Sequence, residues 1–268
     1  MKTTGLRALV VLVSIVAVFC FVGAASYTTA QLEAIASNEL VPEISAAAGV
    51  ALASAYATTM TEAQLESLAA NGRTIGLRIA AGDALSILYR DKTKDELMAI
   101  LTGTANPMIR AAAINPTLEY LVTTTSDQKD FNLSDYLKGL ATTGKTHEMR
   151  LAAARAYYFV NRGSLKAPDL EAQAVKNDSA ELAYAAGETL AGFYLSFDPK
   201  TQAQLEDLAI NGQSEGMRVA GGDALASLLI KSDKTAQDFE TTLLSLVGTT
   251  TAAYRNAYAQ ALSERFGS

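Results

Sequence analysis

The chain has 268 residues, 49% of them hydrophobic, with a formal net charge of −6, one cysteine and one histidine. This length and apolar content suffice for a core that folds without cross-links, and with Cys20 as the only cysteine an intramolecular disulfide or a thiolate metal site is excluded. The acidic balance argues against nucleic acid or an anionic membrane surface as partner, because both need a basic footprint.

Residues 1–25 begin with Lys2 and Arg7, run through ALVVLVSIVAVFCFVGAA, and end in the small-residue spacing Val22-Gly23-Ala24. A basic start, an apolar middle and a small-residue end predict a secretory signal peptide cleaved after Ala24 or Ala25. The alternative is an uncleaved anchor, since the run is near the ~17-residue lower limit for a spanning helix. Phe19 before Cys20 argues against a lipoprotein site. Cleavage removes two basic residues, leaving 20 against 28 acidic and a charge of −8. The expected location is exported (periplasmic, cell-surface or extracellular), with no membrane attachment after cleavage.

Residues 26–268 are organised around a repeat. Thr61–Leu85, TEAQLESLAANGRTIGLRIAAGDAL, returns as Thr201–Leu225, TQAQLEDLAINGQSEGMRVAGGDAL, with about two-thirds of positions identical. Each copy reads as a helical hairpin. Thr61 and Gln64 form a capping pattern, Leu65, Leu68 and Ala69 follow at helical spacing, and Asn71-Gly72 stops the helix, where glycine would supply a left-handed C-cap. In the later copy Asp198-Pro199 is expected to open the first helix. Further units start from first-helix leucines near Leu32, Leu97, Leu137, Leu170 and Leu243, besides Leu65 and Leu205. Their approximate bounds are 32–60, 61–90, 91–121, 137–162, 168–197, 198–231 and 235–268, with a polar insertion at 122–136. Units five to seven echo units one to three, which suggests duplication of a shorter block. The last unit ends almost with the chain, so a bare apolar end face is expected.

The second-helix segments align on an alanine found in every copy: Ala47, Ala80, Ala112, Ala152, Ala185, Ala220 and Ala257. Two residues earlier stands Arg78, Arg110, Arg150, Arg218 or Arg255, with Ser45 and Ala183 as exceptions. An unvarying alanine implies close approach of a neighbouring hairpin, as stacked repeats require. The pattern of an apolar residue, Arg, any residue, Ala-Ala and then Ala-Leu resembles HEAT-like repeats, closest to the short phycobilisome-lyase-type group. The period of about 32 to 40 residues is shorter than the usual HEAT length of ~40–47. Pro116 in the third unit and the missing arginine of the fifth depart from the pattern. The resemblance implies an all-α, right-handed α-solenoid of about seven HEAT-like hairpins.

Five residues beyond the arginine column stand Val50, Asp83, Asn115, Arg155, Glu188, Asp223 and Gln260. At 100° per residue this column lies nearly opposite the core stripe. It reads either as a plain solvated face or as a binding stripe (Asp83, Asn115, Arg155, Glu188, Asp223, Gln260). The arginine column reads as a structural ladder to a neighbouring helix end or carboxylate, with ligand binding as the alternative. Asp83 and Asp223, four hairpins apart, are expected to lie too far apart to share a site.

Evidence for catalysis is thin. His147-Glu148 lacks the second histidine of a His-Glu-x-x-His motif and reads as a solvated or capping residue. There is no Gly-x-Ser-x-Gly elbow, phosphate loop or dinucleotide fingerprint. Of Tyr157, Tyr158 and Phe159, at least one should lie near the surface. Asn132-Leu133-Ser134 and Asn177-Asp178-Ser179 match a glycosylation acceptor and matter only in a glycosylating organism. No catalytic residue, metal site or cofactor is assigned. The expected function is a non-catalytic protein-interaction or scaffold module. The alternative is a structural subunit that self-assembles end to end as a homo-oligomer or polymer. A lyase-like enzyme, implied only by the resemblance, is disfavoured by export and by the absence of any mature cysteine. The partner is a protein or a second copy of the chain.

Overall fold

The computed structural model describes residues 27–103, 106–124, 132–176 and 179–267. The expected signal peptide, part of the polar insertion and Asn177 lie outside the described residues. Every regular element among those described is helical. The helices are α1 (Thr29–Ala36), α2 (Pro42–Thr59), α3 (Glu62–Asn71), α4 (Ile75–Leu88), α5 (Lys94–Thr102), α6 (Pro107–Ala112), α7 (Ile114–Thr124) and α8 (Leu133–Thr143). They continue with α9 (His147–Asn161), α10 (Ala167–Val175), α11 (Ala180–Ser196), α12 (Gln202–Asn211), α13 (Glu215–Ile230), α14 (Ala236–Leu246) and α15 (Ala252–Gly267). No helix among the described residues is long and apolar enough to cross a membrane.

Local chemistry sets these boundaries. Thr28, Thr61, Thr93, Thr201 and Thr235 each close a capping box with Gln31, Gln64, Glu96, Gln204 or Asp238, satisfying amides that a helix start leaves free. The sixth hairpin therefore opens at Thr201, not at Asp198-Pro199, and Asp198 instead pairs with Lys200. Gly72 and Gly212 do end helices, but at φ −54° and −52°, outside the left-handed region. Glycine is needed there for space, because a Cβ would sit 2.6 Å from Leu68 O or 2.5 Å from Leu208 O. Pro116 has no N–H to give and clashes with a continuing helix; the third unit accordingly breaks into α6 and α7. The insertion is shorter than expected, since α7 runs to Thr124 and α8 starts at Leu133. In the last unit Phe239, four residues after the capping threonine, takes the place of the first-helix leucine, so Leu243 was one turn out of register.

The helices pair as hairpins, α1 with α2, α3 with α4, α5 with α6 and α7, α8 with α9, α10 with α11, α12 with α13, and α14 with α15. Second helices pack on one another in succession: α2 on α4, α4 on α6 and α7, these on α9, then α11, α13 and α15. Helix α15 then packs back on α2, so the order is a closed cycle. Each first helix also reaches the next second helix, and α14 reaches α2 in the same way. The end face expected to be bare is therefore covered by the opposite end of the chain, because the small turn made at each joint brings the last hairpin back to the first.

The core lies between the two layers. Leu32, Leu65, Leu97, Leu137, Leu170, Leu205 and Phe239 are buried from the first helices, and the seven column alanines from the second. Each large apolar side chain taken from water contributes roughly 1.5–3 kcal/mol. Tyr89 and Tyr194 are buried with their hydroxyls donated to Glu66 (3.2 Å) and Glu171 (2.9 Å), clamping second helix to first. Tyr158 is buried while Tyr157 and Phe159 are half-buried, the latter under the Arg162 guanidinium. The tightest joints are α2/α4 and α11/α13. A Cβ on Gly49 would lie 2.2 Å from Gly76 O, and one on Gly187 2.1 Å from Gly216 O. Gly187→Ala is therefore expected to destabilise the fold by about 1–3 kcal/mol through overpacking. Gly192→Ala, on the same helix with nothing within 4 Å, is expected to stabilise it by about 0.5–1 kcal/mol. Urea midpoints of the two variants read the contrast.

Candidate functional site

Each second helix has first helices on one side and second helices on both flanks, so its remaining side faces the middle of the cycle. Helical periodicity places the polar column there. Asn115 on α7, Arg155 on α9, Glu188 on α11, Asp223 on α13 and Gln260 on α15 form a polar belt, of which the first three are joined by hydrogen bonds. Arg155 Nε donates to Glu188 Oε2 at 2.8 Å, Arg155 Nη2 donates to Glu188 Oε1, and Arg155 Nη1 reaches Asn115 Oδ1 at 3.5 Å. Gln260 lies beside the Asp223 carboxylate and favours its charged form. Asp83 on α4 shares the face but has neither hydrogen bond nor ion pair among the described residues. Val50 on α2 is the apolar gap in the column.

The belt carries three carboxylates and one guanidinium, and its electrostatics reflect that imbalance. The surrounding helices desolvate Asp83 and raise it from 3.8 to about 6, although the residue is exposed to solvent. Burial, and then the Glu188 charge, raise Asp223 to about 6 against the help of Gln260 and Arg155. One turn earlier the same face bears Ile79, Leu151, Tyr184 and Val219. Burial, with Glu188 and Asp223 nearby, pushes the Tyr184 hydroxyl up to about 12. Sequence reasoning missed Tyr184; its place four residues before Glu188 was the signal. The separation of Asp83 and Asp223 also changes meaning. They are four joints apart along the chain but three by way of the α15–α2 contact, and both face the same central space.

The arginine column lies at the joints. Arg110 donates from Nε to Glu148 at 3.0 Å and Arg150 from Nε to Glu181 at 2.9 Å, each reaching the next second helix. Arg255 Nε donates to Glu43 at 2.6 Å, from the last hairpin to the first. Glu43, Glu148 and Glu181 all stand second in their helices, where a carboxylate also suits the helix dipole. Arg218 pairs within its own helix with Glu215, and Arg78 reaches only the Gly72 carbonyl at 3.5 Å. Burial of Glu148 and Glu181 opposes their charge, but the arginines overcome it and hold both carboxyls below their ordinary range. His147, the first residue of α9, sets its Nδ1 2.9 Å from Glu181 and is otherwise exposed.

A second set of joint contacts was not foreseen. The hydroxyls capping the second helices, Thr74, Thr146, Ser179, Ser214 and Thr251, each accept from an amide of their own helix and donate to a carbonyl of the preceding first helix. The acceptors are Ala36, Leu101, Ala141, Ala174 and Ala209. Among the described residues no group of three or more His, Cys, Asp or Glu side chains is placed to hold a metal ion. Comparison with protein-family models, with curated proteins and with solved structures finds no match for this chain.

The raised belt carboxyls make a pH prediction. Between about pH 4 and 6 the folded chain retains protons on Asp83 and Asp223 that the unfolded chain releases, so these groups cost stability as pH rises through that window. The Asp83→Asn, Asp223→Asn double variant should gain stability relative to the parent as pH rises from 4.5 to 7, read as a widening gap in urea midpoint. Parallel curves would show that the two carboxyls titrate as exposed ones do.

Proposed function

We propose that this chain is an exported, non-catalytic binding module: a right-handed stack of short HEAT-like hairpins closed on itself, which presents the inner polar belt to a protein partner. The observation that carries this reading is the convergence of side chains from α4, α7, α9, α11, α13 and α15 on one surface with two carboxylates beyond what Arg155 neutralises. A purely structural belt would balance its charges, since unpaired carboxylates in a hemmed space oppose folding. A partner segment rich in Lys or Arg supplies the missing charge, and charge complementarity of this kind sets specificity and association rate. Ile79 and Tyr184, the partly exposed residues one turn from the belt, give that segment a surface to bury. End-to-end assembly, the alternative reading, requires α2 and α15 to part, because each covers the other.

Light scattering coupled to size exclusion on the exported chain should show a monodisperse monomer. Immobilised parent protein should retain a partner from the secreted or envelope fraction. Glu188→Gln, Asp223→Asn protein should lose it, and retention should weaken with salt. Filaments in the first measurement, or retention indifferent to the belt substitutions in the second, would overturn the reading.

A further inference from the structure

We infer that the joint between α15 and α2 is a gate through which the inner space opens sideways. The inference rests on the reading that the polar belt is the binding surface, and it concerns access to that surface. Six of the seven joints join hairpins consecutive in the chain; the seventh is closed by side chains from its two ends. Arg255 meets Glu43 across 212 positions of sequence, and the Tyr27 ring meets Phe266 edge-on at 4.8 Å. Five joints carry the capping hydroxyl that bonds the preceding hairpin. At this one the capping position is Val41, which has no side-chain hydrogen bond to offer. Nor does it repeat the glycine interlock of α2/α4 and α11/α13.

The outer layer here is incomplete as well. Between α14 and the α1–α2 turn lies an open cleft of about 400 Å³ lined by Ile35, Leu40, Ile44, Glu240 and Leu244. Leu40 is 83% exposed and Leu244 59%. The helix contact here is no thinner than at α9/α11; what sets the joint apart is that no turn links its hairpins, so they can separate without straining a covalent connection. A partner segment with a free end can thread the central space. A basic loop held at both ends by its own fold cannot, and sideways entry through this joint admits it.

Hydrogen exchange on the exported chain alone tests the gate. The amides of α2 and α15 should exchange faster than those of α11 and α13. Glu43→Gln should accelerate α2 and α15 together by about tenfold, as expected when a partly shielded ion pair is reduced to a hydrogen bond with a neutral acceptor, and leave α9 to α13 unchanged. Glu181→Gln discharges the same kind of rung at the same helix position of a covalently continuous joint, and should affect only the first turn of α11. Exchange in α2 and α15 as slow as in α13, or acceleration by Glu43→Gln spread over the whole chain, would overturn the gate. Because no partner enters this measurement, a gate that opens in a protein whose belt variants still retain their partner would sink the belt reading alone.

Discussion

The structure depends on how closely successive second helices approach. Alanine at one column and glycine at its neighbours let the backbones meet, and at Gly49/Gly76 and Gly187/Gly216 there is no room for a single methyl group. Seven helix axes about 9 Å apart lie on a circle roughly 21 Å across. Subtracting one helix diameter of ~10 Å, side chains included, leaves a central space about 11 Å across. Larger residues at the joints would widen every step, and the last hairpin would miss the first. The width of the inner space and the closure of the cycle therefore have the same cause.

Small side chains cannot by themselves fix direction, and the polar contacts do that. Each capping hydroxyl serves its own helix and the preceding hairpin at once, so the start of a second helix is formed and positioned by one group. The arginine–glutamate rungs add charge-assisted bonds that are partly shielded from water, which makes them stronger than exposed pairs. Arg255 and Glu43 repeat the rung of Arg110–Glu148 and Arg150–Glu181 with the same atoms and helix position. Closure thus reuses the chemistry of the internal joints where α15 meets α2.

Much of this was legible in the sequence because the repeat exposes it. Hairpins, capping boxes, the buried alanine column and the polar column that holds Asn115, Arg155, Glu188, Asp223 and Gln260 all follow from periodicity. Closure was not legible, since it is the sum of small rotations at joints of which no single one is encoded as a turn angle. A clue was present: Glu43, in the first hairpin, occupies the place of Glu148 and Glu181, yet has no preceding hairpin along the chain to serve. Phe239 escapes a pattern written for leucine because the site selects only for bulk. Gly72 and Gly212 were correctly placed at helix ends but for the wrong reason, because a steric need and a left-handed turn leave the same residue in the sequence.

The tether changes what the α15–α2 contact has to do. Two separate molecules joined by one ion pair, one ring contact and a modest helix interface would part readily, because association costs several kcal/mol of lost freedom. Here six continuous joints hold the two ends near each other, so the effective concentration of one for the other is high and a weak contact is enough to close. The same arithmetic keeps closure sensitive: a small change in the energy of the Arg255–Glu43 rung shifts the balance between open and closed by a large factor, whereas an equal change at Arg150–Glu181 acts on a joint that its turn already confines. A cycle built from near-identical hairpins is thus uneven in its dynamics for a reason of connectivity, and the place where it yields is the place where the chain is not continuous.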